Sequence, residues 1–166
     1  MTHRPSRRAF LEARLAADTA MRPPGAVDNL TEVCVHCGDC ALACPEAIIW
    51  PDENGFPTLQ FSRACTFCGD CARACQSGAL ELVRIDEWPW RATVTEGCFS
   101  LNAIACRTCQ DTCDQNAISF RLALGGRATP VLDSAACVGC GACAAACPAG
   151  AITFEKQKIF ESEVSE

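Results

Sequence analysis

The chain has 166 residues, sixteen of them cysteine, and a formal net charge of −6 at pH 7. The acidic balance argues against a nucleic-acid partner and favours a basic patch on another protein. So high a cysteine content is typical either of a disulfide scaffold in a secreted protein or of a metal protein in a reducing compartment. The N-terminal residues and the spacing of the cysteines decide between these two classes.

The first predicted segment, residues 1–30, is amphipathic and carries a motif like that of twin-arginine export signals at Arg7 and Arg8. Such a signal requires an uninterrupted apolar stretch next. Charged residues interrupt that stretch at Glu12, Arg14 and Asp18. We therefore expect a short helix rather than an export signal, and a cytoplasmic location, where thiols stay reduced. The helix either caps the first domain or displays Arg7 and Arg8 for docking to a partner.

Four cysteine repeats follow, and self-similarity of this kind indicates a repeat architecture. Three of them share the spacing C-x2-C-x2-C-x3-C. The first contains Cys34, Cys37, Cys40 and Cys44, the second Cys65, Cys68, Cys71 and Cys75, and the fourth Cys137, Cys140, Cys143 and Cys147. The third repeat is irregular, because its first cysteine lies further upstream: it contains Cys98, Cys106, Cys109 and Cys113. A loop can bring Cys98 back to the same cofactor, so each repeat retains four cysteines.

A short apolar stretch follows each repeat and predicts a small strand. Residues 48–50 are separated by turn residues from the apolar run 58–61, which predicts a hairpin. Residues 118–122 and 130–132 predict a second hairpin in the same way.

Two further strands are predicted at residues 79–83 and 149–154. Residues 85–97 are predicted as a connection, in which Trp88-Pro89-Trp90 packs between the flanking modules. The run 134–154 is uncharged and long enough to cross a bilayer. Because the run is rich in alanine rather than in Leu, Ile or Val and holds four cysteines, we expect a cofactor-binding segment there and no membrane span.

The cysteine spacing is that of [4Fe–4S] ferredoxins, since a cubane cluster needs one thiolate at each of its four irons. In two-cluster ferredoxins, the fourth cysteine of a repeat ligates the other cluster. Transferred to this chain, that crossed pairing predicts four ligand sets. Cluster one has Cys34, Cys37, Cys40 and Cys75; cluster two has Cys65, Cys68, Cys71 and Cys44; cluster three has Cys98, Cys106, Cys109 and Cys147; cluster four has Cys137, Cys140, Cys143 and Cys113. Zinc sites normally use two separated C-x2-C pairs, and disulfides need an oxidising compartment, so four [4Fe–4S] clusters are expected.

The expected fold is α+β, made of two tandem bacterial 2[4Fe–4S] ferredoxin-like modules that are small and loop-rich. We predict module 1 at residues 31–84, with clusters one and two, and module 2 at residues 98–154, with clusters three and four. An acidic tail, 155–166, follows. Because clusters replace much of the hydrophobic core of such small modules, the metal-free chain is expected to be largely unfolded.

The chain resembles the ferredoxin-type accessory proteins of bacterial periplasmic nitrate reductase systems, the NapF family. The resemblance covers most of the chain and is carried by Ser6-Arg7-Arg8, by Met21-Arg22-Pro23-Pro24 and by the expanded third repeat. Gln76 departs from the pattern, because it replaces a proline after the last cysteine of the second repeat. The resemblance implies a cytoplasmic protein that docks on the precursor of the catalytic subunit of periplasmic nitrate reductase. It would assist maturation of that subunit before export, through iron–sulfur assembly or redox poise.

Two other functions remain open. A polyferredoxin would pass single electrons from an electron donor protein to a respiratory oxidoreductase. A redox sensor would act by losing its clusters, although no DNA-binding feature supports it. Because the sequence contains no nucleotide fingerprint, P-loop or nucleophile elbow, we expect no enzyme activity.

Overall fold

The computed structural model describes residues 20–124 and 127–157. Short helices and two-stranded sheets make an α+β fold of two ferredoxin-like modules, which confirms the predicted fold class. The predicted N-terminal helix with Arg7 and Arg8 lies outside the described residues. In the part of the chain that is described, no helix is long and apolar enough to cross a membrane.

The first module is built from single helical turns and one hairpin. In chain order these are α1 (Leu30–Val33), α2 (Asp39–Leu42), β1 (Ile49–Pro51), β2 (Pro57–Leu59) and α3 (Asp70–Arg73). The predicted hairpin is confirmed, since β1 and β2 pair antiparallel with Ile49 opposite Leu59. Asp52 closes its turn: Oδ1 accepts the amide hydrogens of Asn54 and Phe56 at 2.9 and 3.0 Å.

Residues 20–27 form a strap along this module. The Arg22 guanidinium donates to Asp52 Oδ2 at 2.7 Å. The carbonyl of Met21 accepts the amide hydrogen of Leu59 at 2.9 Å. The strap is therefore fastened to both the turn and the second strand of the hairpin.

The prediction of a strand at residues 79–83 is wrong. Only one bridge forms there, between Leu80 and Ala26 of the strap, and a 3-10 helix then runs over Leu82–Glu87. The ladder cannot continue, because Pro23-Pro24 of the strap has no amide hydrogen to donate.

The second module contains two two-stranded sheets. Its elements are β3 (Trp90–Val94), a 3-10 helix (Ser100–Asn102), α4 (Thr108–Asp111), β4 (Ile118–Leu122), β5 (Ala128–Leu132), α5 (Ala142–Ala146) and β6 (Ile152–Lys156). The predicted hairpin is confirmed as β4 and β5, with Ile118 opposite Leu132. The other sheet pairs β3 with β6 antiparallel and places Ala92 opposite Phe154. The strand predicted at 149–154 corresponds to β6, which begins and ends later.

Part of the segment expected as a connection, residues 85–97, therefore forms a strand of the second module. Two residues of the predicted tail, Glu155 and Lys156, belong to β6. Trp88 and Trp90 are each 7 % exposed and pack against first-module side chains that include Ile48. The predicted packing of the Trp-Pro-Trp segment between the modules is confirmed.

Few large apolar side chains are buried, and they lie around the cysteines. Leu30 and Ile48 are 2 % and 1 % exposed in the first module, and Ile118 is 4 % exposed in the second. Each belongs to an apolar group that includes or packs against cysteine side chains. The cysteine side chains therefore lie where a conventional core would be.

Candidate metal centres

A left-handed glycine begins the helix in each regular repeat. Gly38, Gly69 and Gly141 precede α2, α3 and α5 with φ values of 80°, 79° and 84°. Glycine adopts this conformation without steric cost, and it turns the chain between the second and third cysteines. In the irregular repeat, Arg107 stands at this position with φ −137°, so the chain enters α4 along a different path.

In the described residues, four of the cavities are each lined by four cysteines. They are lined by Cys34, Cys37, Cys40 and Cys75; by Cys44, Cys65, Cys68 and Cys71; by Cys98, Cys106, Cys109 and Cys147; and by Cys113, Cys137, Cys140 and Cys143. Three cysteines of each group come from one repeat and the other from its neighbour. The structure thus brings together the same four groups that were predicted as ligand sets, while the iron-ligand role of each residue stays a prediction.

The expanded third repeat is folded so that Cys98 reaches its group. The side-chain amide of Asn102 donates to the carbonyls of Glu96 and Cys98, both at 2.9 Å. Ser100 is 3 % exposed and donates to the carbonyl of Ala128 on β5 at 2.6 Å. These two polar side chains fix the position of the loop. In the other repeats, the short spacing between the cysteines has this role.

The cysteine groups fit a cofactor larger than one ion. Within residues 20–124 and 127–157, no three His, Cys, Asp or Glu side chains are close enough together to hold a single metal ion. A mononuclear tetrahedral zinc site would require such a group. Four thiols around one cavity instead match a [4Fe–4S] cube, which takes one cysteine at each corner iron. None of the sixteen cysteines, all in the described part of the chain, forms a disulfide.

Several of these thiols are buried enough to resist ionisation. Burial raises the pKa of Cys143 to about 12 and the pKa of Cys40 and Cys71 to about 11. The charge of Cys71 raises the pKa of Cys40 further, and the charge of Cys109 does the same to the pKa of Cys143. Because iron binds the thiolate, metal must displace these protons when the cofactor is inserted.

Cys75 differs from these thiols. Burial raises its pKa, but hydrogen bonds outweigh burial and lower the pKa overall. The Ser77 hydroxyl lies 3.6 Å from Cys75 Sγ, and the amide of Leu80 donates to the same sulfur at 3.4 Å. Donors to a ligand sulfur stabilise negative charge and raise the reduction potential of an iron–sulfur cluster.

Two other sulfurs have similar neighbours. Thr108 Oγ1 lies 3.7 Å from Cys106 Sγ, and the amide of Ala151 donates to Cys147 Sγ at 3.3 Å. The hydroxyl groups of Ser77 and Thr108 were not predicted from the sequence. In both cases the hydroxyl stands two residues after a cysteine, which is the signal that could have identified it.

Comparison with known proteins places these centres in a family. The 4Fe-4S dicluster domain family matches residues 33–79 and 104–151, once in each module. Ferredoxin-type protein NapF of Haemophilus influenzae is 44 % identical over 145 residues, which cover 85 % of this chain and 82 % of that protein. Ferredoxin-type protein NapF of Escherichia coli K12 is 39 % identical over 155 residues, covering 90 % and 94 %.

A methylamine utilization ferredoxin-type protein, MauM of Paracoccus denitrificans, is more distant. It is 34 % identical over 152 residues, which cover 79 % of this chain and 68 % of that protein. Both NapF proteins match at higher identity, and the match to each extends over most of both chains. The chain therefore belongs to the NapF family of ferredoxin-type iron–sulfur proteins.

Proposed function

We propose that this chain binds four [4Fe–4S] clusters and serves in the cytoplasm as an accessory protein of periplasmic nitrate reductase. It docks on the precursor of the catalytic subunit and assists its maturation before export, through iron–sulfur assembly or redox poise. The observation that carries the proposal is the arrangement of sixteen cysteines around four cavities in a NapF-family chain. When bound, each cluster supplies the capacity to take up and release one electron.

The chain's own residues would do two things for the bound clusters. The crossed cysteine groups tie the start of one repeat to the end of its neighbour, so cofactor binding closes each module. Hydrogen bonds to the ligand sulfurs would raise the reduction potential of the clusters, and their donors are Ser77, Leu80 and Ala151.

Charge supports a protein partner with a basic surface. The formal net charge is −6 before metal binds. Sixteen thiolates and four oxidised cubane cores would bring it to roughly −14. A partner that presents a basic patch would then be attracted over a distance set by the ionic strength.

Iron and acid-labile sulfide in anaerobically purified protein test the cofactor part of the proposal. We expect about sixteen of each per chain, and about four fewer of each in a Cys106→Ala variant, because each cluster holds four irons. Ser119→Ala, an exposed change on β4, should keep the full content. Four zinc ions per chain without sulfide would contradict the proposal.

Co-purification tests the partner part. A tagged chain from anaerobic cytoplasm should capture the unexported catalytic subunit of periplasmic nitrate reductase. If the paired arginines dock, Arg7→Ala with Arg8→Ala should weaken capture, whereas Arg121→Ala with Arg127→Ala, two exposed arginines of the β4–β5 hairpin, should not. No association of the wild-type chain with the subunit would contradict the partner proposal and leave the iron count unaffected.

A polyferredoxin electron carrier is the second candidate. It is favoured by the closeness of cysteines from different groups, since Cys40 and Cys71 pack against one apolar group and Cys109 and Cys143 both belong to another. A carrier should show reversible clusters near the potential of its partner and reduce that partner on rapid mixing. An accessory protein should instead bind the unexported catalytic subunit stably, whether or not it reduces that subunit on rapid mixing.

A further inference from the structure

The two modules meet at a hydrogen bond between cysteines of different groups. The amide N–H of Cys65 donates to the carbonyl oxygen of Cys140 at 2.7 Å. Under the proposed function, Cys65 binds cluster two in the first module and Cys140 binds cluster four in the second. A path of bonded atoms therefore runs from Cys65 Sγ through its amide, across the hydrogen bond, and along Cys140 to its Sγ.

Aromatic side chains hold this junction closed. Phe61 of the first module contacts Phe154 of β6, with ring centroids 4.9 Å apart. Gly141 is buried against the Phe61 ring so closely that a Cβ at this position would overlap it. The buried indole of Trp88 donates to the carbonyl of Gly139 at 3.3 Å. These contacts fix the loop of the fourth repeat against the second repeat.

Cysteines of neighbouring groups lie near one another at three places. Within the modules, Cys40 and Cys71 pack against the same apolar group, and Cys109 and Cys143 both belong to another. Across the modules, the backbones of Cys65 and Cys140 are joined by the 2.7 Å hydrogen bond. The contacts order the four sites as one, two, four, three, with the Cys65–Cys140 hydrogen bond at the middle of the series.

We propose that the Cys65–Cys140 hydrogen bond is the electron bridge between the two modules, an inference that rests on the four-cluster assignment of the proposed function. Electronic coupling falls off more slowly along bonded atoms than across gaps, so this path is favoured over the surrounding van der Waals contacts. The bridge carries one electron from a reduced to an oxidised cluster, and no atom or proton moves. A one-electron donor protein at one end and a one-electron acceptor protein at the other complete the balance.

A matched pair of glycine variants tests the bridge. Gly141→Ala places a methyl group against the Phe61 ring and should part the modules. Gly38→Ala is the control, because Gly38 holds the equivalent position in the first repeat with φ 80°, and a Cβ there meets nothing within 4 Å. Both changes carry a similar backbone cost, so only the contact with Phe61 differs.

Two measurements report on the Cys65–Cys140 hydrogen bond and on the approach of the two modules, and neither requires an activity assay. Hydrogen exchange of the Cys65 amide should become up to about tenfold faster in Gly141→Ala, the factor expected for loss of one hydrogen bond. The EPR spectrum of the fully reduced protein should lose the spin–spin broadening that arises between modules. Gly38→Ala strains the turn of the first cysteine group but not the junction, so it should leave the Cys65 exchange and the broadening between modules at their wild-type values.

Iron and sulfide analysis separates failure of this inference from failure of the proposed function. A wild-type content well below about sixteen irons overturns the four-cluster assignment itself. With full iron, faster exchange but an unchanged EPR spectrum in Gly141→Ala overturns the bridge. The bridge is also overturned if the Cys65 amide of the wild-type protein exchanges its hydrogen as fast as an exposed loop amide. If Gly141→Ala does not retain its clusters, Phe61→Ala alone loosens the same junction and is judged by the same criteria.

Discussion

Under the proposed assignment of Cys75 to the first cluster, replacing Ser77 with alanine should lower the reduction potential of that cluster. Two donors lie at Cys75 Sγ, the Ser77 hydroxyl at 3.6 Å and the Leu80 amide at 3.4 Å. A reduced cluster carries more negative charge, so each donor stabilises the reduced state more than the oxidised state. The variant loses the hydroxyl and keeps the amide, which limits the effect to one of the two donors.

The size of the shift follows from the strength of one hydrogen bond. A hydrogen bond contributes about 1 kcal/mol net, and about 59 mV corresponds to a tenfold change for a one-electron couple. One such bond is therefore worth about 40 mV. Because the Ser77 contact is long, we expect the potential to fall by about 20 to 40 mV.

Potentiometric titration followed by EPR measures this shift cluster by cluster. Ser119→Ala is the control, since Ser119 is an exposed serine on β4 and no hydrogen bond of the described chain joins it to a cysteine. The four potentials of the control should equal those of the wild type. An unchanged or higher potential in Ser77→Ala, or an equal fall in the control, would refute the reasoning.

Three further outcomes are expected. Ile118→Ala should lower the free energy of unfolding by about 2 to 5 kcal/mol, because the side chain is 4 % exposed. Leu124→Ala, at a position 97 % exposed, should change it by less than about 0.5 kcal/mol, and equal effects in a denaturant titration would contradict this. Asp52→Asn keeps Oδ1 for the turn but removes the charge that faces Arg22, and urea titration at pH 7 should show a loss of about 1 kcal/mol. Burial raises the Asp52 pKa, but Arg22 and the turn amides lower it overall, so this stability is present above the ordinary value of 3.8 and is lost as the pH falls through the lowered pKa. The two proteins should therefore converge in acid, and a difference that persists there would contradict the ion pair. Removal of iron with a chelator should abolish the far-UV circular dichroism of the β4–β5 hairpin and the rest of the fold, whereas retained secondary structure would contradict cluster-dependent folding.

Local spacing made three members of each regular cysteine group predictable. In the three regular repeats, two-residue gaps bring the first three cysteines to one cavity, whereas the fourth member was predicted from the crossed pairing of two-cluster ferredoxins. The hairpin from Ile49 to Leu59 was predictable for a similar reason, because its strands are joined by a short turn with Asn54-Gly55. Both features depend on residues that are close in sequence.

Features that depend on distant residues were not predictable. The strand expected at 79–83 fails because its partner is a strap whose prolines end the ladder, and nothing near residue 80 reveals that strap. Pairing of β3 with β6 joins Thr93 to Thr153, sixty residues apart, without a turn signal between them. The contact between Cys65 and Cys140 depends on that same closure of the second module.

The pairing of β3 with β6 also constrains how the protein is made. At roughly 5 to 20 residues per second, the sixty residues between Thr93 and Thr153 take about 3 to 12 seconds to translate. During that interval β3 has left the ribosome with both edges unpaired, a state that invites aggregation. The β1–β2 hairpin has no such delay, because Ile49 and its partner Leu59 are close in sequence. Since the first module is also translated first, cofactor insertion during synthesis should begin there, while β3 of the second module stays exposed until β6 has been made.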